Sequence, residues 1–166
     1  MKNIFCVFLL LSLGMCSSKP QVNFPDVKDN WITMEGVYAR KPLVVSYNQG
    51  LEPIAGNKVY ENQVGISIKL NTPDKNGQAV PEEDAQLGMI RETLAGELTK
   101  NKLSFFAVVS TTDGSRDFVF YTHDVNAMKE KIETIKKKIS THRISISVLR
   151  DPHWGVYKQF NPSQLK

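Results

Sequence analysis

The centre of the chain reads LSFFAVVSTTDGSRDFVFY over residues 103–121. Two runs rich in β-branched and aromatic residues flank a short polar segment that contains Asp113-Gly114, a pattern typical of a β-hairpin with a tight turn. The first run is apolar at both odd and even positions, as expected for a strand that is buried on both of its faces. The sequence therefore predicts a hairpin in the middle of the protein.

Regular patterns on either side of this hairpin predict two more strands and two helices. Residues 64–70 and residues 143–149 alternate between apolar and small or polar side chains, which is typical of strands with one buried face. Pro81 is followed by three acidic residues, a composition that favours the start of a helix. Asp124 is a candidate N-cap for a second helix. The apolar positions that follow at helical spacing are Leu87, Ile90, Leu94 and Leu98 in the first helix and Val125, Met128, Ile132, Ile135 and Ile139 in the second.

Two glycines interrupt the first predicted helix. Gly88 and Gly96 each lower its helix propensity by about 1 kcal/mol relative to alanine. We interpret them as positions at which the helix backbone approaches the sheet.

The order of the predicted elements from residue 64 to residue 149 is strand, helix, strand, strand, helix, strand. This is the split βαβ order of ferredoxin-like folds. We therefore predict an α+β domain in which two helices cover one face of an antiparallel sheet, and Ser145 and Ser147 agree with a second face that no helix covers. Strands at residues 31–35 and 43–47 are expected to extend the sheet. The second face is expected to be partly apolar through Phe106, Val108, Val119 and Tyr121, under a short C-terminal helix that carries Trp154, Tyr157 and Phe160.

The N-terminus has the pattern of an export signal. Lys2 precedes an apolar run over residues 4–13, which is too short to span a bilayer but fits the apolar region of a signal peptide. The segment that ends in Met15-Cys16 resembles a bacterial lipoprotein signal, in which the cysteine is lipidated after cleavage. Since a smaller residue than Met15 usually precedes that cysteine, simple cleavage and secretion is the alternative. We predict a signal peptide over residues 1–15, a lipid anchor at Cys16 with a tether over residues 16–30, and a single domain over residues 31–166.

Composition narrows the class of protein. A chain of 166 residues fits one compact domain, and cleavage before Cys16 would remove Cys6, so no disulfide is expected. The net charge of +4 is carried largely by lysines near residue 136, which we interpret as the solvent face of an amphipathic helix, so nucleic acid is an unlikely partner. The predicted location is the bacterial cell envelope, with the membrane as one partner through the N-terminal lipid.

Two short motifs carry a resemblance to a known family. The first is Gly-x-Arg-Asp-Phe-x-Phe-Tyr over residues 114–121, and the second is Asp-Pro-x-Trp-x-x-Tyr over residues 151–157. In this order and spacing they resemble the uncharacterised bacterial domain-of-unknown-function family 695. Trp31, the Pro-Leu-Val-Val run at residues 42–45 and the Pro81-Glu82 helix start are similar to that family as well. The family has no known activity, so the resemblance implies a fold without a mechanism.

The predicted topology brings two pairs of polar residues to one rim of the sheet. The third and fourth core strands run in the same direction with the first between them, so His123 and Asp124 should emerge beside Asp151 and His153, roughly 10 Å apart. Such a cluster could bind a divalent metal or act as acid and base. The simpler interpretation is that Asp124 caps a helix, Asp151 makes a turn, and both histidines are ordinary rim residues. His142 is expected at the opposite end of the sheet.

Three further residues are candidate contacts for a ligand or partner. Arg116 could grip an anionic ligand or form a salt bridge at the hairpin edge. Trp154 and Tyr157 could contact a ligand or cover the core. Since the sequence has no catalytic signature and predicts no cofactor or resident metal, we expect a non-enzymatic module that binds a protein or peptide through the sheet face or its edge. The alternative is a metal-assisted hydrolase at the rim.

Overall fold

The computed structural model describes residues 25–161. The predicted signal peptide, Cys16, the first part of the tether and residues 162–166 lie outside the described residues. The strands are β1 (Trp31–Tyr38), β2 (Lys41–Asn48), β3 (Asn62–Lys69), β4 (Ser104–Thr112), β5 (Ser115–Thr122) and β6 (Ile144–Arg150). The helices are α1 (Pro81–Leu98), α2 (Val125–Lys136) and α3 (Gly155–Lys158), with short 3-10 helices at Gln49–Ile54, Lys58–Tyr60 and Lys100–Lys102.

The described strands form one sheet in the order β1-β2-β4-β5-β3-β6, and every neighbouring pair is antiparallel. Strands β5 and β6 therefore run in the same direction on either side of β3. Strands β1 and β2 extend the sheet beyond β4, as the sequence predicts. The expectation of an α+β fold with an antiparallel sheet is confirmed.

The central hairpin turns through two residues with positive φ. Asp113 and Gly114 have φ of 48° and 75°, the combination that type I′ turns require and that matches the twist of the flanking strands. The pairing of β4 with β5 shifts register between Phe106 and Val108, so Ala107 is the extra residue of a β-bulge. Because the bulge reverses the alternation, Phe106 packs on the helix face while Val108 packs on the opposite face. The prediction that both lie on the second face is wrong for Phe106.

Both long helices pack on the same side of the sheet. Their apolar positions join one buried cluster with Val64, Ile66 and Ile68 of β3. The buried helix side chains include Leu87, Ile90, Leu94 and Leu98 of α1 and Met128, Ile132 and Ile135 of α2. Outside the helix itself, a Cβ at Gly88 or Gly96 would meet no atom within 4 Å, so the predicted approach of these glycines to the sheet is wrong.

A second apolar cluster covers part of the opposite face. Leu51 and Tyr60 of the 3-10 helices, together with Trp154 and Tyr157 near the C-terminus, pack against side chains of β2, β4 and β5. The cluster contains no side chain of β3 or β6. The C-terminal cover that the sequence predicts is therefore present, but it stops at β5.

The end of the predicted tether belongs to the domain. The Asn30 N–H donates to Oδ1 of Asn48 at 3.1 Å, and the Asn30 carbonyl accepts from the N–H of Gln49 at 2.8 Å. The side-chain amide of Asn48 donates to Asp29 at 2.8 Å. Within residues 25–161, no helix is both long enough and apolar enough to cross a membrane.

Candidate functional site

The four predicted rim residues have separate surroundings. The Asp124 carboxylate accepts a hydrogen bond from the N–H of Ala127 at 3.0 Å and so caps α2. The His123 ring lies edge-on to Tyr60, with ring centroids 5.5 Å apart. His153 is exposed beside Asp151. In the part of the chain that the structure describes, no group of three His, Cys, Asp or Glu side chains could hold a metal ion. The structure therefore does not bring these four residues together into one metal-binding group.

Asp151 organises the C-terminal end of the domain. Its carboxylate accepts hydrogen bonds from the N–H groups of Gly155 and Val156 at 2.7 and 2.9 Å, which caps the short helix α3. It also accepts a hydrogen bond from the Tyr121 hydroxyl at 2.7 Å, and that hydroxyl accepts one from the N–H of Tyr157 at 3.1 Å. A single carboxylate thus fixes α3 to strand β5.

The protonation state of Asp151 follows from these contacts. Burial raises its pKa, but hydrogen bonds from Val156, Tyr121 and Gly155 and the nearby charge of His153 outweigh burial and leave the pKa below its ordinary value. Burial and the neighbouring Asp151 carboxylate both raise the pKa of the Tyr121 hydroxyl. Asp151 is therefore ionised at neutral pH and acts as an acceptor, whereas Tyr121 stays protonated and donates.

The two aromatic candidates for a ligand contact are buried. Trp154 is 0% exposed and Tyr157 is 1% exposed. The Trp154 ring stacks on Tyr121 with centroids 4.0 Å apart, and its indole N–H donates to the Tyr60 carbonyl at 2.8 Å. Tyr157 stacks on Tyr47 and donates to the Asn48 carbonyl at 2.8 Å. Of the two roles that the sequence allows for these rings, ligand contact and cover for the core, the structure shows the second. The rings present no surface to a ligand.

Arg116 connects the central hairpin to the first helix. Its Nη2 lies 2.7 Å from Oδ1 of Asp84 in the first turn of α1, and its Nε donates to the Thr111 hydroxyl at 2.8 Å. The Arg116 side chain is 16% exposed. Its cation is thus already paired, and the salt bridge joins two elements instead of running along the hairpin edge.

Glu83 and His142 form a buried pair at the other end of the sheet, and no sequence motif predicts this pair. Nε2 of His142 lies 3.0 Å from Oε1 of Glu83, and Nδ1 lies 3.0 Å from the Thr141 hydroxyl. The Glu83 carboxylate also accepts hydrogen bonds from the N–H groups of Asn71 and Thr72 and from the Thr72 hydroxyl. Burial raises the Glu83 pKa, but these hydrogen bonds outweigh burial and lower it below the ordinary value.

The Thr141 hydroxyl, the His142 imidazole and the Glu83 carboxylate follow one another in the same order as the groups of a hydrolase triad. The His142 side chain, however, is 0% exposed, so no substrate can reach the imidazole in this conformation. The Glu83 carboxylate already accepts hydrogen bonds from donors of residues 71–72. We therefore assign the Glu83–His142 pair a structural role, which is to tie α1 to the start of β6.

The uncovered part of the second face is mainly polar, with Leu149 as its exposed apolar residue. We call the surface formed by Gly65, Ser67, Asp117, Ser145 and Ser147 the open serine face. These residues lie on β3, β5 and β6 on the side opposite the long helices, next to where the C-terminal cover ends. A Cβ on Gly65 would lie 2.6 Å from the Ser147 hydroxyl oxygen, so this glycine lets the Ser147 side chain lie flat on the sheet.

Asp117 is the charged group of the open serine face. It pairs across the sheet with Ser67 of β3 and with Ser110 of β4, and its side chain is partly exposed. Among the described residues, its carboxylate has no hydrogen-bond or salt-bridge partner. Asp117 is part of the motif at residues 114–121, but only the sheet register shows that it lies among hydroxyl groups.

Two of the clefts on the described surface are of larger volume, and both lie away from the open serine face. One, of about 380 Å³, is bounded by residues 25–29, the end of α1 and the start of β4. The other, of about 610 Å³, is lined by Lys136, His142 and Arg143 where α2 leads into β6. Neither cleft includes Asp117 or the rim residues.

Comparison with family models gives one match, which spans residues 29–161 and is described as a family of unknown function (DUF695). The chain belongs to this family. Comparison with curated proteins and with solved structures gives no match. In this member of DUF695, the motif residues Asp151, Trp154 and Tyr157 hold the C-terminal cover on the sheet, and Arg116 holds the first helix. The residues that carry the family resemblance thus have visible structural roles.

Proposed function

We propose that this chain is an exported, lipid-anchored bacterial envelope protein whose domain is a non-enzymatic binding module. The partner is a protein or peptide segment that lies on the open serine face. The N-terminal signal pattern and Cys16 support export and anchoring. The fold belongs in our proposal to the ferredoxin-like class, which the order β4-β5-β3-β6 and the packing of α1 and α2 on one face support.

The main support for the proposal is the carboxylate of Asp117, which has no hydrogen-bond or salt-bridge partner among the described residues. Charged residues that are partly buried on a sheet usually have a partner, because removing a charge from water has a cost that an opposite charge or hydrogen bonds offset. Asp117 has hydroxyl neighbours, and within residues 25–161 it forms no salt bridge, although Lys69 lies diagonally from it across the β3–β5 pair. A lysine or arginine side chain from a partner would supply the opposite charge.

The surroundings of Asp117 favour an extended partner over a compact ligand. The open serine face is a flat surface of small side chains on adjacent strands, so a segment of chain can lie across it without displacing bulky groups. Hydroxyl groups can donate to or accept from a peptide backbone. The charge then selects the partner, as complementary charges do in protein recognition.

A peptide titration tests this site. The ¹⁵N-labelled full chain, with both cysteines replaced by serine, is titrated with two extended peptides that differ only in a central lysine or glutamine. The lysine peptide should shift the amide signals of Ser67 and Ser145, and Asp117→Asn should weaken that binding by about tenfold, or about 1.4 kcal/mol. Asp113→Asn, at the exposed hairpin turn, is the matched control and should leave binding unchanged. Equal affinity for both peptides, or shifts confined to another surface, would refute the site.

Anchoring is tested separately in cells. A fatty-acid analogue should label the chain, and Cys16→Ala should abolish the label. Release of an unlabelled wild-type chain into the medium would favour secretion over anchoring.

The alternative of a metal-assisted hydrolase has less support. Asp124 and Asp151 are helix caps whose carboxylates accept backbone N–H groups. Calorimetric titration of the chain with Zn²⁺ should give no heat that depends on His123 or His153. Stoichiometric binding that His123→Ala removes would revive this alternative.

A further inference from the structure

Within residues 25–161, strand β6 is an edge of the sheet with a row of unpaired backbone groups. The N–H of Asp151 donates to the carbonyl of Glu61, which continues the β6–β3 ladder by one pair. Since the direction of N–H and C=O alternates along an antiparallel strand, the odd-numbered residues of β6 bond to β3. The even-numbered residues, Ile144, Ile146, Val148 and Arg150, therefore point their N–H and C=O groups outward.

This edge lacks the features that usually prevent strand pairing. Natural edges carry charges, prolines or bulges within the strand. Between Ile144 and Leu149, β6 has none of these, and its register with β3 is uninterrupted. Val148 and Leu149 are 40% and 52% exposed. The opposite edge, β1, differs because Glu35 and Gly36 interrupt its apolar run.

We infer that β6 pairs antiparallel with β6 of a second copy of this chain, about a two-fold axis at Ser147, so that two sheets join into one. This register pairs every outward-facing N–H and C=O of the strand: Ile144 lies opposite Arg150 of the second copy, and Ile146 lies opposite Val148. Ser147 lies opposite Ser147 of the second copy. The inference does not depend on the proposed peptide site.

The side chains agree with this register. Ile146 and Val148 place apolar groups opposite each other on the helix side of the sheet, and cross-strand pairs of β-branched residues stabilise antiparallel strands. At the ends of the strand, Arg143 lies opposite Asp151 of the second copy, so the flanking charges are complementary. Shifting the axis to Ile146 would leave Arg150 without a strand partner and would move Arg143 away from Asp151. The register centred on Ser147 is therefore the favoured one.

Pairing at β6 also joins the two open serine faces. Ser145 and Ser147 lie on that face and at that edge, so the dimer would bring the two faces together across the two-fold axis, with Leu149 of each copy opposite Ser145 of the other. An extended partner could then contact both copies.

Cysteine cross-linking tests the register. In the full chain with Cys6 and Cys16 replaced by serine, Ser147→Cys should form a disulfide-linked dimer on mild oxidation, because opposite residues in a pair without hydrogen bonds lie within disulfide range. Ser145→Cys is the matched control. Its two copies would lie four residues apart along the strands, or roughly 13 Å, and should not link. Absence of a link at Ser147, or equal linking at both positions, overturns the inference.

Sedimentation equilibrium of the same cysteine-free chain tests the interface. The chain should be dimeric, and Val148→Lys should raise the dimer dissociation constant roughly tenfold or more while the circular dichroism spectrum stays unchanged. Val37→Lys replaces an apolar residue that is 74% exposed on the other edge strand and should leave the dimer intact. A parent chain that is monomeric at all concentrations, or a dimer that dissociates with Val37→Lys but not with Val148→Lys, overturns the inference.

Discussion

Nε2 of His142 lies 3.0 Å from Oε1 of Glu83, although the two residues are 59 positions apart in the chain. Their side chains are 0% and 5% exposed. The contact joins the first turn of α1 to the segment that leads into β6, and backbone N–H groups of Asn71 and Thr72 complete it. A single carboxylate thus ties together three parts of the chain at one end of the sheet.

The first prediction concerns this carboxylate. Glu83→Gln replaces one acceptor oxygen by an amide group that faces N–H or O–H donors, so we expect a loss of about 1–3 kcal/mol in the free energy of unfolding at pH 7. Urea denaturation measures it. Glu82→Gln, on the exposed side of the same turn, is the control and should change stability by less than about 0.5 kcal/mol. Equal effects of the two substitutions would contradict the role of Glu83.

The pH dependence of this effect has a definite sign. The Glu83 pKa is lowered in the folded chain, so its contribution to stability is complete above the ordinary glutamate pKa of about 4.3 and is lost as the pH falls through the lower folded-state value. The difference in stability between the parent chain and Glu83→Gln should therefore shrink in urea titrations below about pH 4. A difference that grows on acidification would show that the sign is wrong.

The second prediction concerns the C-terminal cover. Tyr121→Phe removes the hydroxyl that donates to Asp151 and accepts from the N–H of Tyr157. Leaving these buried groups without their partner should cost about 1–3 kcal/mol, measured by thermal or urea unfolding. Tyr38→Phe removes a hydroxyl from a tyrosine that is 63% exposed and should have almost no effect. If both variants unfold like the parent chain, the hydroxyl does not hold the cover.

The third prediction concerns glycines in opposite situations. At Gly88 a new Cβ meets open space within a helix, so Gly88→Ala should stabilise the protein by up to about 1 kcal/mol. At Gly77, where φ is 75°, a Cβ would lie 2.9 Å from the Cα of Asp113, so Gly77→Ala should destabilise it. Differential scanning calorimetry of the two variants should give shifts in Tm of opposite sign. Shifts of the same sign would contradict the local geometry.

The fourth prediction concerns the cap of α2. Asp124→Ala should cost about 1 kcal/mol in the free energy of unfolding, because the N–H of Ala127 loses its acceptor. Glu130→Ala, at an exposed position within the same helix, is the control and should be close to neutral in urea denaturation. A neutral Asp124→Ala would mean that the carboxylate does not act as the cap.

Local sequence patterns predicted the elements well. The alternation at residues 64–70 and 143–149, the Asp-Gly turn, and the apolar positions of both helices each depend on neighbours within a few residues, so the chain carries the signal directly. The polar second face was also visible, through Ser145 and Ser147. The aromatic motif at the C-terminus indicated a cover for that face, although not its extent.

Contacts between distant residues were beyond these patterns. The bulge at Ala107 results from how β4 pairs with β5, and nothing in the alternation of β4 marks it. Asp117 lies among hydroxyl groups, on the surface that we propose as a binding site, because the register places it between Ser67 and Ser110. The predicted rim cluster rests on the strand order, which gives the positions of the strand ends but not the directions of their side chains. The directions of the Asp124 and Asp151 side chains are fixed by nearby backbone N–H donors.

The amino-acid order alone was thus sufficient for the strands, the helices, their succession and the hairpin, since each is set by periodicity and turn chemistry over short distances. Four features depended on the packing of the chain. They are the bulge, the Glu83–His142 contact, the limit of the C-terminal cover at β5, and the lack of a salt bridge at Asp117 among the described residues. The physical reason is that each of these depends on register and burial, which are properties of pairs of residues far apart in the chain.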